Sequence, residues 1–231
     1  MLGTNQGSGG SRKTFLNISN GKVIQEWKET PKPEWVPQGK ELLSKTISKG
    51  VNEGKLRYYV EYDFVSGHIT GIELDRSDIG DRIKLTLNDA GDEFILSIST
   101  DSAYGESFMN QMNNIDLGAE ITLQPWSMTP DQWFDLTGKT VKSNKVGLTL
   151  KQFGAKLEKY YTKENPNGMP QLVQKTVKGK VEWDSTDRDN FLYEELLKFI
   201  EKANASAAVA TQNSVFAGLE DDDDTDDGLP F

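Results

Sequence analysis

The stretch Lys55-Leu56-Arg57-Tyr58-Tyr59-Val60-Glu61-Tyr62-Asp63-Phe64 decides the fold class. Its even positions, Leu56, Tyr58, Val60, Tyr62 and Phe64, are apolar or aromatic, and its odd positions are mostly charged. A period of two is the signature of a half-buried strand. The same alternation predicts strands at 68–74, 82–88 (Ile83, Leu85, Leu87 inward), 93–99 (Phe94, Leu96, Ile98 inward), 119–125 and 144–152. Asp89-Ala90-Gly91-Asp92 joins two of them as a hairpin. The period changes at Tyr104, Phe108 and Met112, which share one helical face over 104–114. Upstream, Asn20-Gly21 turns a hairpin over 14–27. That hairpin belongs either to the main sheet or to a homodimer contact.

Downstream, 172–177 and 179–183 read as strands, and Leu192, Leu196, Phe199 and Ile200 line one face of a helix over 186–203. Asp184 and Ser185 are its candidate N-caps. Strands, a short helix after the third barrel strand and two further strands form the order expected of an OB-fold. The expectation is therefore a mainly β protein. It has an OB-fold-like five-stranded barrel with a short helix, an N-terminal hairpin extension and a C-terminal helix. Residues 1–11, rich in Gly and Ser, are expected to be a disordered arm, 12–203 the domain, and 204–231 a disordered acidic tail.

Composition narrows the function. The chain has 231 residues, no cysteine and one histidine, His68. That excludes disulfide frameworks, thiolate zinc sites, thiol nucleophiles and most triads. No segment resembles a signal peptide or a membrane span, so a cytoplasmic protein without membrane partners or cofactors is expected. The formal net charge is −10, yet the charge is strongly segregated. Residues 139–180 carry ten lysines against two acids, Glu158 and Glu164. The last twelve residues carry seven acids and no base.

The C-terminus reads Glu220-Asp221-Asp222-Asp223-Asp224-Thr225-Asp226-Asp227-Gly228-Leu229-Pro230-Phe231. An acidic run closing on an apolar, Pro-Phe tip resembles the C-terminus of single-stranded-DNA-binding proteins. The extended N-terminal region and the Lys-rich insertion make the chain more similar to the divergent versions encoded by bacteriophages. The resemblance covers about a dozen residues and implies a replication or recombination protein that coats single-stranded DNA. It also implies that the tail recruits a polymerase, helicase, primase or nuclease. Asp221, Asp222, Asp223, Asp224, Asp226, Asp227, Leu229, Pro230 and Phe231 would form that partner-binding tail. The anionic tail could also lie over the chain's own basic groove until DNA displaces it.

Sequence-neutral binding of single strands needs cations for phosphates and open aromatic faces for bases. Lys139, Lys142, Lys145, Lys151, Phe153, Lys156, Lys159, Tyr160 and Tyr161 interleave the two. Alternation sets Lys145, Gly147, Thr149 and Lys151 on one face, with Gly147 leaving room for a base or sugar. Lys55, Arg57 and Tyr59 form the polar face of the first barrel strand, and Trp126 is a stacking residue or a barrel plug. Trp133 and Phe134 anchor a loop, and Trp183 caps the last helix against the core. Residues 53–135 hold sixteen acids and five bases, so neighbouring carboxylates such as Asp63 and Asp75 follow from composition and show no metal-binding spacing. The expectation is a non-enzyme without a metal site. The rival readings are a structural, adaptor or carbohydrate-binding β protein and a Mg²⁺-dependent nuclease.

Overall fold

A computed structural model describes residues 13–78, 80–177 and 180–217. The sequence folds into β1 (Lys13–Ser19), β2 (Lys22–Trp27), β3 (Leu43–Thr46), β4 (Leu56–Tyr62), β5 (Val65–Asp75), β6 (Arg82–Asp89) and β7 (Asp92–Ser99). Helix α1 (Ala103–Met109) follows, then β8 (Ile121–Met128), α2 (Pro130–Thr137), β9 (Lys145–Gln152), β10 (Ala155–Lys156), β11 (Val173–Val177), β12 (Lys180–Asp184) and α3 (Thr186–Ala217). Ten strands form one sheet in the order β10-β9-β8-β5-β6-β7-β1-β2-β4-β3, and β11 and β12 form a separate ribbon. All pairings are antiparallel except β1 with β7, which is parallel.

The order β8-β5-β6-β7 is a Greek key: three consecutive strands, with the fourth returning past α1 to lie beside the first. β5 serves both neighbours because it bends. Val65–Gly67 pair with β8, His68–Asp75 pair with β6, and a bulge lies between Ile69 and Gly71. The expected five-stranded closed barrel is not formed. β1 occupies the outer edge of β7 that a closing strand would need, while β9 gives its free edge to β10. The sheet nevertheless curls. The Asn20-Gly21 turn, with φ of 50° and 76°, abuts Trp126 and Ser127 of β8, and the Tyr104 hydroxyl of α1 accepts the Gly21 N–H at 2.8 Å. The N-terminal hairpin is thus part of the sheet, paired to β7 on one side and β4 on the other.

One core fills the concave side. It joins Leu16, Val23, Val60, Leu85, Leu96, Leu123 and Leu150 to Phe108 of α1, to Met112 just after it, and to Leu192, Leu196 and Phe199 of α3. Phe108 and Phe199 meet edge to face, ring centroids 6.2 Å apart. Asp184 caps α3 through its carboxylate, which accepts the Thr186 N–H at 3.0 Å. The helix continues to Ala217, past residue 203 where its apolar stripe is expected to end and the tail to begin. The tail residues Glu220–Phe231 and the whole N-terminal arm, residues 1–11, lie outside the described residues.

Asn204 ties the helix to the sheet just past the apolar stripe. Its amide donates to the Ile72 carbonyl at 3.0 Å and its carbonyl accepts the Ile72 N–H at 3.1 Å, completing β5 where β8 no longer pairs with it. Ile72 is fully buried. Asn204→Ala strips both partners and is expected to cost about 1–3 kcal/mol in urea denaturation. A loss too small to measure would mean that water serves that edge equally well.

Candidate nucleic-acid interface

β8 and β9 present a strip of outward side chains fixed by their register. Thr122 lies opposite Lys151, Gln124 opposite Thr149, Trp126 opposite Gly147 and Met128 opposite Lys145. Ser66 of β5 extends the strip, its hydroxyl 2.8 Å from that of Thr122. Lys145 and Lys151 are six residues apart on one strand, roughly 20 Å. Gln152, on the opposite face and buried, holds the approach to β8 rigid. Its amide donates to the Asp116 carbonyl at 2.8 Å and its carbonyl accepts the Asp116 N–H at 2.9 Å.

The strip ends in a two-residue hairpin turn, Phe153-Gly154, with φ of 53° and 76°. Two successive positive φ angles suit Asn-Gly or Gly-Gly, and a phenylalanine in the first of these positions is unusual. The ring gains little from folding: Phe153 is 81% exposed. Directly below the turn Lys151 faces Lys156 across the β9–β10 ladder. Like charges placed opposite each other destabilise a strand pair.

Elsewhere on the sheet the lysines are neutralised. Lys13 meets Glu93 at 2.8 Å, Lys22 meets Asp63 at 2.6 Å, Lys45 meets Glu26 at 2.5 Å and Lys84 meets Asp75 at 3.0 Å. In contrast, Lys139, Lys142, Lys145, Lys151, Lys156 and Lys159 form no ion pair among the described residues. Asp63 and Asp75, the two carboxylates that a nuclease reading would use, are both taken by lysines, and Lys22 holds the Asp63 carboxyl below its usual range.

Several expected contacts are corrected. Gly147 opens no room for a base, because the Trp126 ring fills it: a Cβ there would lie 2.4 Å from the indole. Trp126 sits inside β8 rather than beyond it, and its far side stacks on Trp133 of α2 at 6.4 Å and 9°. The expected loop around Trp133 and Phe134 is this helix, closed by a Thr129–Gln132 capping box and Gly138. Tyr161 is buried, packed edge-on against Tyr160 and Phe191. Its hydroxyl donates to Glu195 at 3.0 Å and accepts from Asn113 at 2.7 Å, and burial, reinforced by Glu195, pushes its ionisation far above the ordinary tyrosine range. Tyr160 is half-buried against the same cluster. Neither tyrosine is an open platform. Trp183 is 61% exposed on β12 and caps nothing.

Lys55, Arg57 and Tyr59 do not join the strip. They belong to the β3–β4 end of the sheet, where Lys45 sits 5.1 Å over the Tyr59 ring and Lys55 bonds Asn52. Sequence reading missed His68, Glu120 and Thr122, which line an open cleft of about 600 Å³ together with Lys151, Phe153 and Gly154. The available signal was Gln152-Phe153-Gly154-Ala155, whose glycine marks a tight hairpin after a long alternating run. Among the described residues no helix is long and apolar enough to cross a membrane.

Comparison with family models, with curated proteins and with solved structures found no match for this chain.

Proposed function

We propose that this chain is a non-catalytic single-stranded-DNA-binding protein of replication and recombination, of bacteriophage type, acting in the cytoplasm. The observation that carries the reading is the exposed Phe153 held above an unneutralised Lys151–Lys156 pair. Cations that repel one another, with no ion pair to relieve them among the described residues, suit a polyanion. An uncovered ring beside them suits an unpaired base. The Greek-key order β8-β5-β6-β7, the helix α1 in its long connection and β9 as a fifth strand favour an OB-type core, opened by the insertion of β1. Binding is sequence-tolerant and driven by phosphate neutralisation and stacking. The acidic tail, Asp221 to Phe231, recruits replication enzymes through its ring and terminal carboxylate and competes with DNA for the lysines.

Lys145→Ala, Lys151→Ala and Lys156→Ala are each expected to flatten the plot of log affinity against log salt by about 0.7 for each phosphate that the lysine neutralises. Lys13→Ala and Lys84→Ala, which remove paired lysines, leave the slope unchanged. Titration of an oligothymidine by anisotropy measures both sets, and equal slopes throughout would dismantle the interface. A chain ending after Ala217 is expected to bind several-fold tighter than the full chain at low salt, the gap closing as salt screens the tail. Tryptophan quenching at two salt concentrations reads this directly, and identical affinities would discard the competition.

A further inference from the structure

The cleft beside Phe153 is asymmetric in its chemistry. Lys151 can only donate hydrogen bonds, and Thr122 already shares its hydroxyl with Ser66. Buried Gln152 gives its amide to the loop at 116–120, so it has little to offer an incoming group. His68, also exposed on the cleft, can both donate and accept and so separates no base, which leaves Glu120, exposed at the rim, as the carboxylate acceptor of the cleft. A carboxylate beside a phosphate path is costly unless it faces something that donates.

We infer that the cleft holds one nucleobase against Phe153 and that Glu120 makes it favour bases bearing an exocyclic amino group, cytosine over thymine. This rests on the reading of the chain as a single-strand binder and adds a base preference to it. Cytosine offers its N4 amino group to a carboxylate, whereas thymine turns a carbonyl oxygen and a methyl group to the same place. The two pyrimidines are matched in size, so stacking on Phe153 and the fit to a volume of about 600 Å³ do not separate them. Glu120 does.

The test uses the full chain and homo-oligomers of dC and dT of equal length, titrated at fixed salt. The unsubstituted protein is expected to bind dC about 3- to 10-fold more tightly than dT. Glu120→Gln, at an exposed position that leaves the fold intact, brings the ratio close to one. Removing a negative charge tightens both complexes, and the ratio is immune to that shift. A ratio of one in the unsubstituted protein, or a preference that survives Glu120→Gln, overturns the inference while leaving single-strand binding in place. Failure of both oligomers to bind overturns the underlying function as well.

Discussion

Phe153→Gly is expected to weaken binding to an oligothymidine by about 5- to 150-fold, the loss of one base stack worth about 1–3 kcal/mol. The same change is expected to leave the melting temperature unchanged or to raise it slightly. The reason is the backbone. At φ of 53° a bulky side chain sits in a region that costs of order 1 kcal/mol, and glycine escapes that penalty. Glycine gives back part of the gain through a freer unfolded chain. Little apolar burial is forfeited, because the ring is 81% exposed. Opposite signs in affinity and stability are what a ring retained for a ligand produces. A variant that melts lower and binds normally would instead make Phe153 a packing residue, and the strip would lose its only uncovered aromatic face. Calorimetry and anisotropy on one preparation decide between the two.

Gly21→Ala is expected to have the largest effect on stability, a loss of about 2–4 kcal/mol. At this scale of chain that lowers the melting temperature by roughly 5–15 °C. Two costs coincide there. The φ of 76° disfavours any side chain, and a Cβ would stand 2.4 Å from the Ser127 amide nitrogen, backbone that cannot rotate away. Gly91→Ala in the β6–β7 turn is the control. Its φ is 94° but nothing lies within 4 Å of the added carbon, so only the backbone cost applies. If the two variants melted together, the contact between the hairpin turn and β8 would contribute nothing, and the curl of the sheet would need another cause.

The strands were legible because alternation survives wherever one sheet face is dry. The inward sets Ile83, Leu85, Leu87 and Phe94, Leu96, Ile98 are buried as their spacing requires. Closure was not legible, because it depends on which strands pair across long separations. The parallel pairing of Lys13–Asn17 with Glu93–Ser97 leaves no local mark in either segment. Short elements escaped for a different reason. β3 and β10 contain four and two residues, too few for a period to emerge. In the β8–β9 strip the charges and Phe153 were legible, and the other rings were not. A tyrosine beside lysines reads as a platform until its partners are known, and Tyr161 is sequestered by Glu195 and Phe191 from a helix far along the chain. Gly147 reads as a vacancy in the sequence, and in the fold its occupant is Trp126 from the adjacent strand.

The seam between β1 and β7 has a temporal consequence. The partner of β1 is synthesised about 80 residues after it, from Lys13 to Glu93. At about 5–20 residues per second the ribosome takes roughly 4–16 s to supply that partner. Throughout that interval the nascent β1–β2 hairpin carries a bare edge, a template for any other extended chain. Completion of the sheet therefore waits on translation and on a long loop closure, which makes this a slow folder whose vulnerable moment precedes release from the ribosome.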